Sequence, residues 1–370
     1  MIRHPRFRAR PAQRPLPTAM KATLSGLLFL LAAPLFAQDD KVTLTSGEVL
    51  EDCKVQSFDI RELKYVPKSG GATSVSTDRV AKVELGKFAD TYRRGVSAKD
   101  GNLYMPVARD LVGDKNVLMA QFGFIAAANA YLDAGMEAEA FGALDELQKA
   151  IPEAGTVADV YRLKFETYAG RGPRGAQNAL AVANKYQAES TSNAWPQGLQ
   201  IEAEFLATLA SGMDGSMQKP AFQSKLREIV GRSAGSFPFV ANRANVQLAN
   251  SLRETKDAEG ARAIYTDLMS KESVDDNTLA GAYLGLGMLD LESGDATKKE
   301  VFKEALLKFL RVRVITKDSW PSLQAEALYH AMLAAEKWGG EDSRIISGRC
   351  RYILVNEYPN SEWAERAKNK

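Results

Sequence analysis

Residues Asn245–Met269 read NVQLANSLRETKDAEGARAIYTDLM, and their spacing decides the architecture. Leu248, Ala249 and Leu252 share one helical face. Ala261, Tyr265 and Leu268 share the face of a second helix, after a polar break at Glu254–Glu259. The stretch Phe124–Pro152, FIAAANAYLDAGMEAEAFGALDELQKAIP, repeats the arrangement. Ala127, Ala128 and Tyr131 stand where Leu248, Ala249 and Leu252 do, and Ala140, Leu144 and Leu147 where Ala261, Tyr265 and Leu268 do. The offset is 121 residues at all six positions. Gly135 interrupts the first helix and Pro152 closes the unit. Alanine at a helix crossing lets two axes approach more closely than leucine would, so the adjacent large side chain can interdigitate.

These residues resemble the tetratricopeptide repeat, a helix–turn–helix unit of about 34 residues. Two further stretches agree in part. YLGLGMLDLESGD supplies Leu286, Gly287 and Gly294, followed by Ala305 and Phe309 after an insertion. AMLAAEKWGGEDSRIISGRCRYILVNEYPNS supplies Ala334, Ala335 and Trp338, then Leu354 and Pro359. There Ser347 replaces the second small residue, and Arg351 occupies a position expected to be apolar. Helical striping also pairs Tyr161, Phe165 and Tyr168 with Ala176–Val182, and Gln200–Leu209 with Phe222–Val230. About six helix pairs are therefore expected over residues 114–370, with residues 87–113 a linker or degenerate half-repeat. A stack of this kind has a strip-like core, because each unit contacts mainly its neighbours.

The region before it differs. Residues 39–86 alternate polar and apolar side chains, as in KVTLTSGEVL and ELKYVP, with turn signals at Ser46-Gly47 and Lys68–Gly71. About five short strands are expected, forming a small barrel-like module, since closure removes exposed sheet edges. It resembles the SH3-like or Sm-like β modules that precede repeats in exported bacterial proteins. The expected fold class is thus mainly α: a tetratricopeptide-like solenoid after a small all-β module.

The first 37 residues hold Arg3, Arg6, Arg8, Arg10, Arg14 and Lys21 and no acid, and then an apolar run ending Leu35-Phe36-Ala37. This reads as an export signal cleaved after Ala37, with residues 1–19 a long leading region or a stretch upstream of the true start at Met20. The run Gly26–Ala37 has 12 residues, whereas a membrane span needs about 20. A periplasmic or secreted protein is expected, touching a membrane only by association or through an uncleaved signal. Removing those six of the 48 basic residues leaves 42 against 46 acidic ones, a net of −4. Nothing in that balance attracts nucleic acid.

Catalytic constellations are scarce. His330 is the only histidine after Ala37, and no nucleophile motif accompanies it. One histidine with two distant cysteines, Cys53 and Cys350, argues against zinc; the cysteines read as two separate buried thiols. Gly170–Gly175, GRGPRG, has the letters of a dinucleotide fingerprint but follows a helix rather than a strand, so it reads as a turn. Asp275 and Asp276 suit a helix cap better than a calcium loop. Neither catalysis, cofactor nor metal is expected. The family resemblance implies an inner groove lined by first helices, here at Asn129, Asp133, Arg243, Asn250, Arg253 and Glu336. Asn129 and Asn250 share a repeat position, and side-chain amides suit an extended peptide backbone. The expected function is a non-catalytic exported scaffold for a protein or peptide partner. The alternatives are a self-assembling envelope protein and an accessory carbohydrate-binding protein that uses the β module.

Overall fold

The structure, a computed structural model, describes residues 39–271, 274–295, 297–316 and 321–370. The expected leader and its cleavage point at Ala37 lie outside the described residues.

Five strands form first: β1 Asp40–Leu44, β2 Val49–Phe58, β3 Glu62–Pro67, β4 Thr73–Ser76 and β5 Val80–Glu84. Every pairing is antiparallel, in the order β4-β3-β2-β1-β5. The alternation seen in the sequence buries Val42, Cys53, Val55, Phe58 and Leu63 together. Asp40 ties the module: its carboxylate accepts from the Val55 amide at 2.8 Å and from the Gly86 amide at 2.8 Å. The sheet edges are β4 and β5, joined by a short 3-10 turn at Thr77–Arg79 rather than by a ladder.

Beyond Glu84 no named strand occurs among the described residues. The helices are α1 Phe88–Thr91, α2 Arg93–Ala98, α3 Gly101–Gly113, α4 Val117–Asp133, α5 Glu137–Ala150, α6 Val157–Ala169, α7 Ala176–Ser192, α8 Gln197–Met213, α9 Lys219–Ser233, α10 Pro238–Glu254, α11 Ala258–Ser270, α12 Asp276–Ser293, α13 Lys299–Ile315, α14 Pro321–Trp338, α15 Ser343–Glu357 and α16 Glu362–Lys368. Local chemistry sets the starts. Asn116, Asp257, Asp275 and Ser361 each cap a helix by accepting a backbone amide of its first turn. Asp275 therefore does the capping work expected of it. GRGPRG is an inter-helix turn, with Gly172 in the left-handed region at φ +62°.

Each helix packs on its successor, so the array is built from consecutive hairpins. All twelve side chains matched by the 121-residue offset are buried, none more than 8% exposed. The turn repeats as well: Gly135 at φ +74° and Lys256 at φ +69° lie 121 residues apart, and both are left-handed. The stretch read as linker or half-repeat forms α1–α3. There α3 packs on α4, burying Tyr104, Met105 and Ala108.

The core is strip-like, as a stack requires. One apolar cluster takes in Ile60 of the β module and then runs from Tyr92 to Leu289, and a second runs from Ala280 to Ala367. Helix α12 belongs to both, giving Ala282, Leu286 and Leu289 to the first and Ala280, Leu284 and Leu291 to the second. It is apolar all round because it is enclosed on two sides.

The direction of curvature follows from which helices touch. Successive first helices meet, α6 with α8, α8 with α10, α10 with α12 and α12 with α14, whereas successive second helices from α5 onward do so far less. The first helices therefore line the inner face. The curl is tight: α6 reaches α14, and Arg174 in the turn after α6 pairs with Glu365 of α16 at 2.6 Å. The simple elongated stack implied by the repeat is thus bent until its second pair meets its last.

Candidate functional site

The inner face at α6, α8 and α10 holds an ion network built round the buried Glu202 and Arg243, with Arg162 and Asp159 part-buried. Arg162 on α6 donates to both oxygens of Glu202 on α8, Nε to Oε1 at 2.7 Å and Nη2 to Oε2 at 2.6 Å. Its Nη1 donates to Asp159 Oδ1 at 2.8 Å. Tyr186 Oη donates to Glu202 Oε2 at 3.1 Å, and Arg243 on α10 approaches Oε1 at 3.8 Å. Arg243 also lies over the Phe239 ring, 4.3 Å from its centroid. Burial alone would raise the Glu202 carboxyl, but Arg162 and Arg243 outweigh it and hold the group below the usual range. At Asp159 burial wins over Arg162, and that carboxyl is pushed up. A fork of guanidinium on carboxylate is the strong geometry for such a pair.

The β module is fastened to this face. Gln121 on α4 is buried; its Nε2 donates to the Phe58 carbonyl at 3.0 Å, and its Oε1 accepts from the Thr156 amide at 3.1 Å. Arg61 donates to the carbonyls of Asn193 and Ala194. The Gly198 amide donates to Asp78 Oδ2 at 2.9 Å. Between β5 and the helices runs a narrow cleft lined by Asp78, Val80, Ala81, Arg162, Leu199 and Phe237. Asp78 Oδ1 is buried there without a hydrogen-bond partner among the described residues.

The six residues expected in the groove divide into two sets. Asn129 and Asp133 stand exposed one turn apart on α4, and Glu336 is exposed at the end of α14. Glu336 accepts from Ser347 Oγ at 3.0 Å and lies 3.6 Å from the Lys370 ammonium. The other three serve the fold. Arg243 is buried in the network above, and Arg253 pairs with Glu292. Asn250 accepts from Tyr265 Oη at 2.6 Å, while its Nδ2 donates to Gln247 Oε1 at 3.3 Å. Asn129 and Asn250 therefore share a repeat position but not a role. The residue equivalent to Tyr265 is Leu144, which has no hydroxyl to offer, so Asn129 is left facing solvent. The sequence held that difference in one letter.

The ion network was not foreseen. Its one sequence signal is Glu202 itself, an acid on the same apolar stretch as Ile201, Ala203, Phe205 and Leu206, all of them buried, whereas the neighbouring Glu204 turns outward to Lys225 and Arg232. His330 is also buried, against the rings of Phe309, Tyr329 and Trp363, and neither ring nitrogen has a hydrogen-bond partner among the described residues. Burial, with Arg253 and Arg366 nearby, lowers its pKa to about 3. One turn earlier burial raises Glu326 to about 7. Cys53 and Cys350 are separate, buried free thiols. Among the described residues no three His, Cys, Asp or Glu side chains gather as a metal cage, and no helix is long and apolar enough to cross a membrane. No family model matches the chain, and no curated protein matches it either.

Proposed function

We propose that the protein is a non-catalytic, exported scaffold of the tetratricopeptide-like kind, holding a protein or peptide partner against the inner face of its helical array. Its β module, with five antiparallel strands and a short turn between the last two, is of the SH3-like kind and braces the array. Three features support the repeat assignment: paired helices, small residues at the crossings, and a left-handed turn residue that recurs at the same offset.

The observation that carries the binding reading is the contrast between the helices α6, α8 and α10 and the helix α4. At α6, α8 and α10 the charges satisfy one another, as Arg162, Glu202 and Arg243 do. At α4, Asn129 and Asp133 stand exposed with no core task, able to donate to and accept from an extended backbone. A photo-crosslinker at Asn129, used in the native host, is expected to trap a discrete partner by mass spectrometry. Asn129→Ala with Asp133→Ala is expected to lose that partner while melting like the parent. A partner retained equally by the double variant would overturn the α4 assignment. N-terminal sequencing of the native protein tests export, with a start after Ala37 expected.

A further inference from the structure

The outer face at the C-terminal end carries a feature that the scaffold reading does not use. The four most exposed large apolar side chains among the described residues all lie on α13 and α15: Val314 at 77%, Ile345 at 70%, Tyr352 at 70% and Leu307 at 58%. On α13, Leu307, Arg311 and Val314 follow one stripe at helical spacing, and on α15 Ile345, Arg349 and Tyr352 follow another. Both are second helices, on the side of the array away from the first helices. The Arg313–Glu357 ion pair at 2.9 Å holds their C-terminal ends together.

Positive charge gathers on the same two helices, although Lys308 of α13 is paired with Asp290 of α12 at 2.8 Å and the exposed Arg311 rests its guanidinium 5.5 Å from the Tyr283 ring. α13 carries five cations against two acids, and α15 three against one, a combined net of +5. The whole stretch after Ala37 has a net of −4, so everything outside these two helices carries −9. Glu300 and Glu304 sit at the N-terminal end of α13, and Glu357 is neutralised by Arg313. The remaining surface of the stripes is apolar and basic.

We infer that the paired stripes of α13 and α15 dock the protein on an anionic phospholipid surface, with Leu307, Val314 and Tyr352 entering the acyl boundary and Arg311, Arg344 and Arg349 meeting the headgroups. Exposed aliphatic and aromatic groups among cations on one helical face are the composition of an interfacial contact. A second copy docking patch to patch is disfavoured, because it would bring like charge against like charge. A rigid protein would need a concavity matched to an outward-curving face, whereas a lipid surface yields to protruding side chains. The contact lies on the outer face, so it leaves the inner face free and does not depend on the client reading above.

Flotation of the purified full chain with vesicles tests this. Phosphatidylcholine vesicles containing phosphatidylglycerol are expected to carry the protein, high salt to release it, and vesicles of phosphatidylcholine alone to carry much less. Arg344→Gln with Arg349→Gln is expected to weaken partitioning roughly 25-fold, about fivefold for each cation removed. Val314→Ser with Tyr352→Ser is expected to weaken it by at least about tenfold, with thermal melting unchanged because both side chains are exposed. Every variant keeps the same leader, so the difference between variants reports the patch alone. Equal partitioning by parent and variants would overturn the inference, as would equal binding to both vesicle types. Failure to float, with binding instead to a purified acidic protein, would assign the patch to a protein partner and overturn it as well.

Discussion

Gly285→Ala tests the close helix crossings on which the array depends. Gly285 lies on α12 against Tyr265 of α11. A methyl group at Gly285 would stand 2.1 Å from Tyr265 Cζ, 2.4 Å from Cε1 and 2.5 Å from Oη. Carbon atoms in contact prefer roughly 3.5–4.0 Å, so the ring must shift or α12 must swing away. Tyr265 is fully buried, and its hydroxyl donates to Asn250 at 2.6 Å. Three effects compete. Alanine favours the helix over glycine by about 1 kcal/mol. Overpacking costs about 1–3 kcal/mol. Loss of the Tyr265–Asn250 bond costs about 0.5–1.5 kcal/mol. The penalties win, and a net loss of about 2 kcal/mol is expected. Urea unfolding followed by circular dichroism reads the total, and hydrogen exchange over α10–α12 reads its location, since a repeat array need not unfold as one unit. In a Tyr265→Leu background the added methyl should cost at least about 1 kcal/mol less, because the ring it strikes is gone. A Gly285→Ala protein stabilised by about 1 kcal/mol would show propensity acting alone and refute the close crossing.

Lys256→Gly is expected to stabilise by about 1 kcal/mol, because Lys256 is held at φ +69° where its repeat equivalent is Gly135; an unchanged urea midpoint would argue against a strained turn. Ala261→Leu should cost about 1–3 kcal/mol by overpacking a site with no exposed surface; melting like the parent's would show room at that crossing. Glu202→Gln removes the carboxylate that Arg162 grips at both oxygens and should cost about 3 kcal/mol, whereas a loss under about 0.5 kcal/mol would mark the network as dispensable. A part-buried carboxyl and a buried imidazole give opposite pH dependence. Glu326 is raised from an ordinary 4.5 to about 7, so its contribution to stability is full below about pH 4.5 and drains as pH climbs through 7. His330 is lowered from 6.5 to about 3, so its contribution is full above about 6.5 and is lost as pH falls towards 3. In melting profiles across pH, Glu326→Gln should flatten the first change and His330→Gln the second, and profiles parallel to the parent's would sink both assignments.

What the sequence made legible, and what it did not, divides along one physical line. Features set by neighbours in the chain were readable. The alternation of residues 39–86 gave strands, and the offset of 121 placed twelve core positions, all of them buried. Asp275 and the GRGPRG turn behaved as their local chemistry requires. Features set by curvature were not readable, because small angles between successive pairs accumulate and no single residue encodes their sum. The meeting of Arg174 with Glu365 follows from that sum. Curvature also sorted the expected groove residues. Where the inner face tightens, Arg243 met Glu202 and Arg253 met Glu292 inside the chain, whereas Asn129 and Asp133 stayed exposed. A polar residue on the inner helix of a repeat is therefore not yet a binding residue. It becomes one only if neither the bend nor its own hairpin supplies a partner, and the pair Asn129 and Asn250 shows the second case. One amide faces solvent opposite Leu144, and the other is consumed by the hydroxyl of Tyr265.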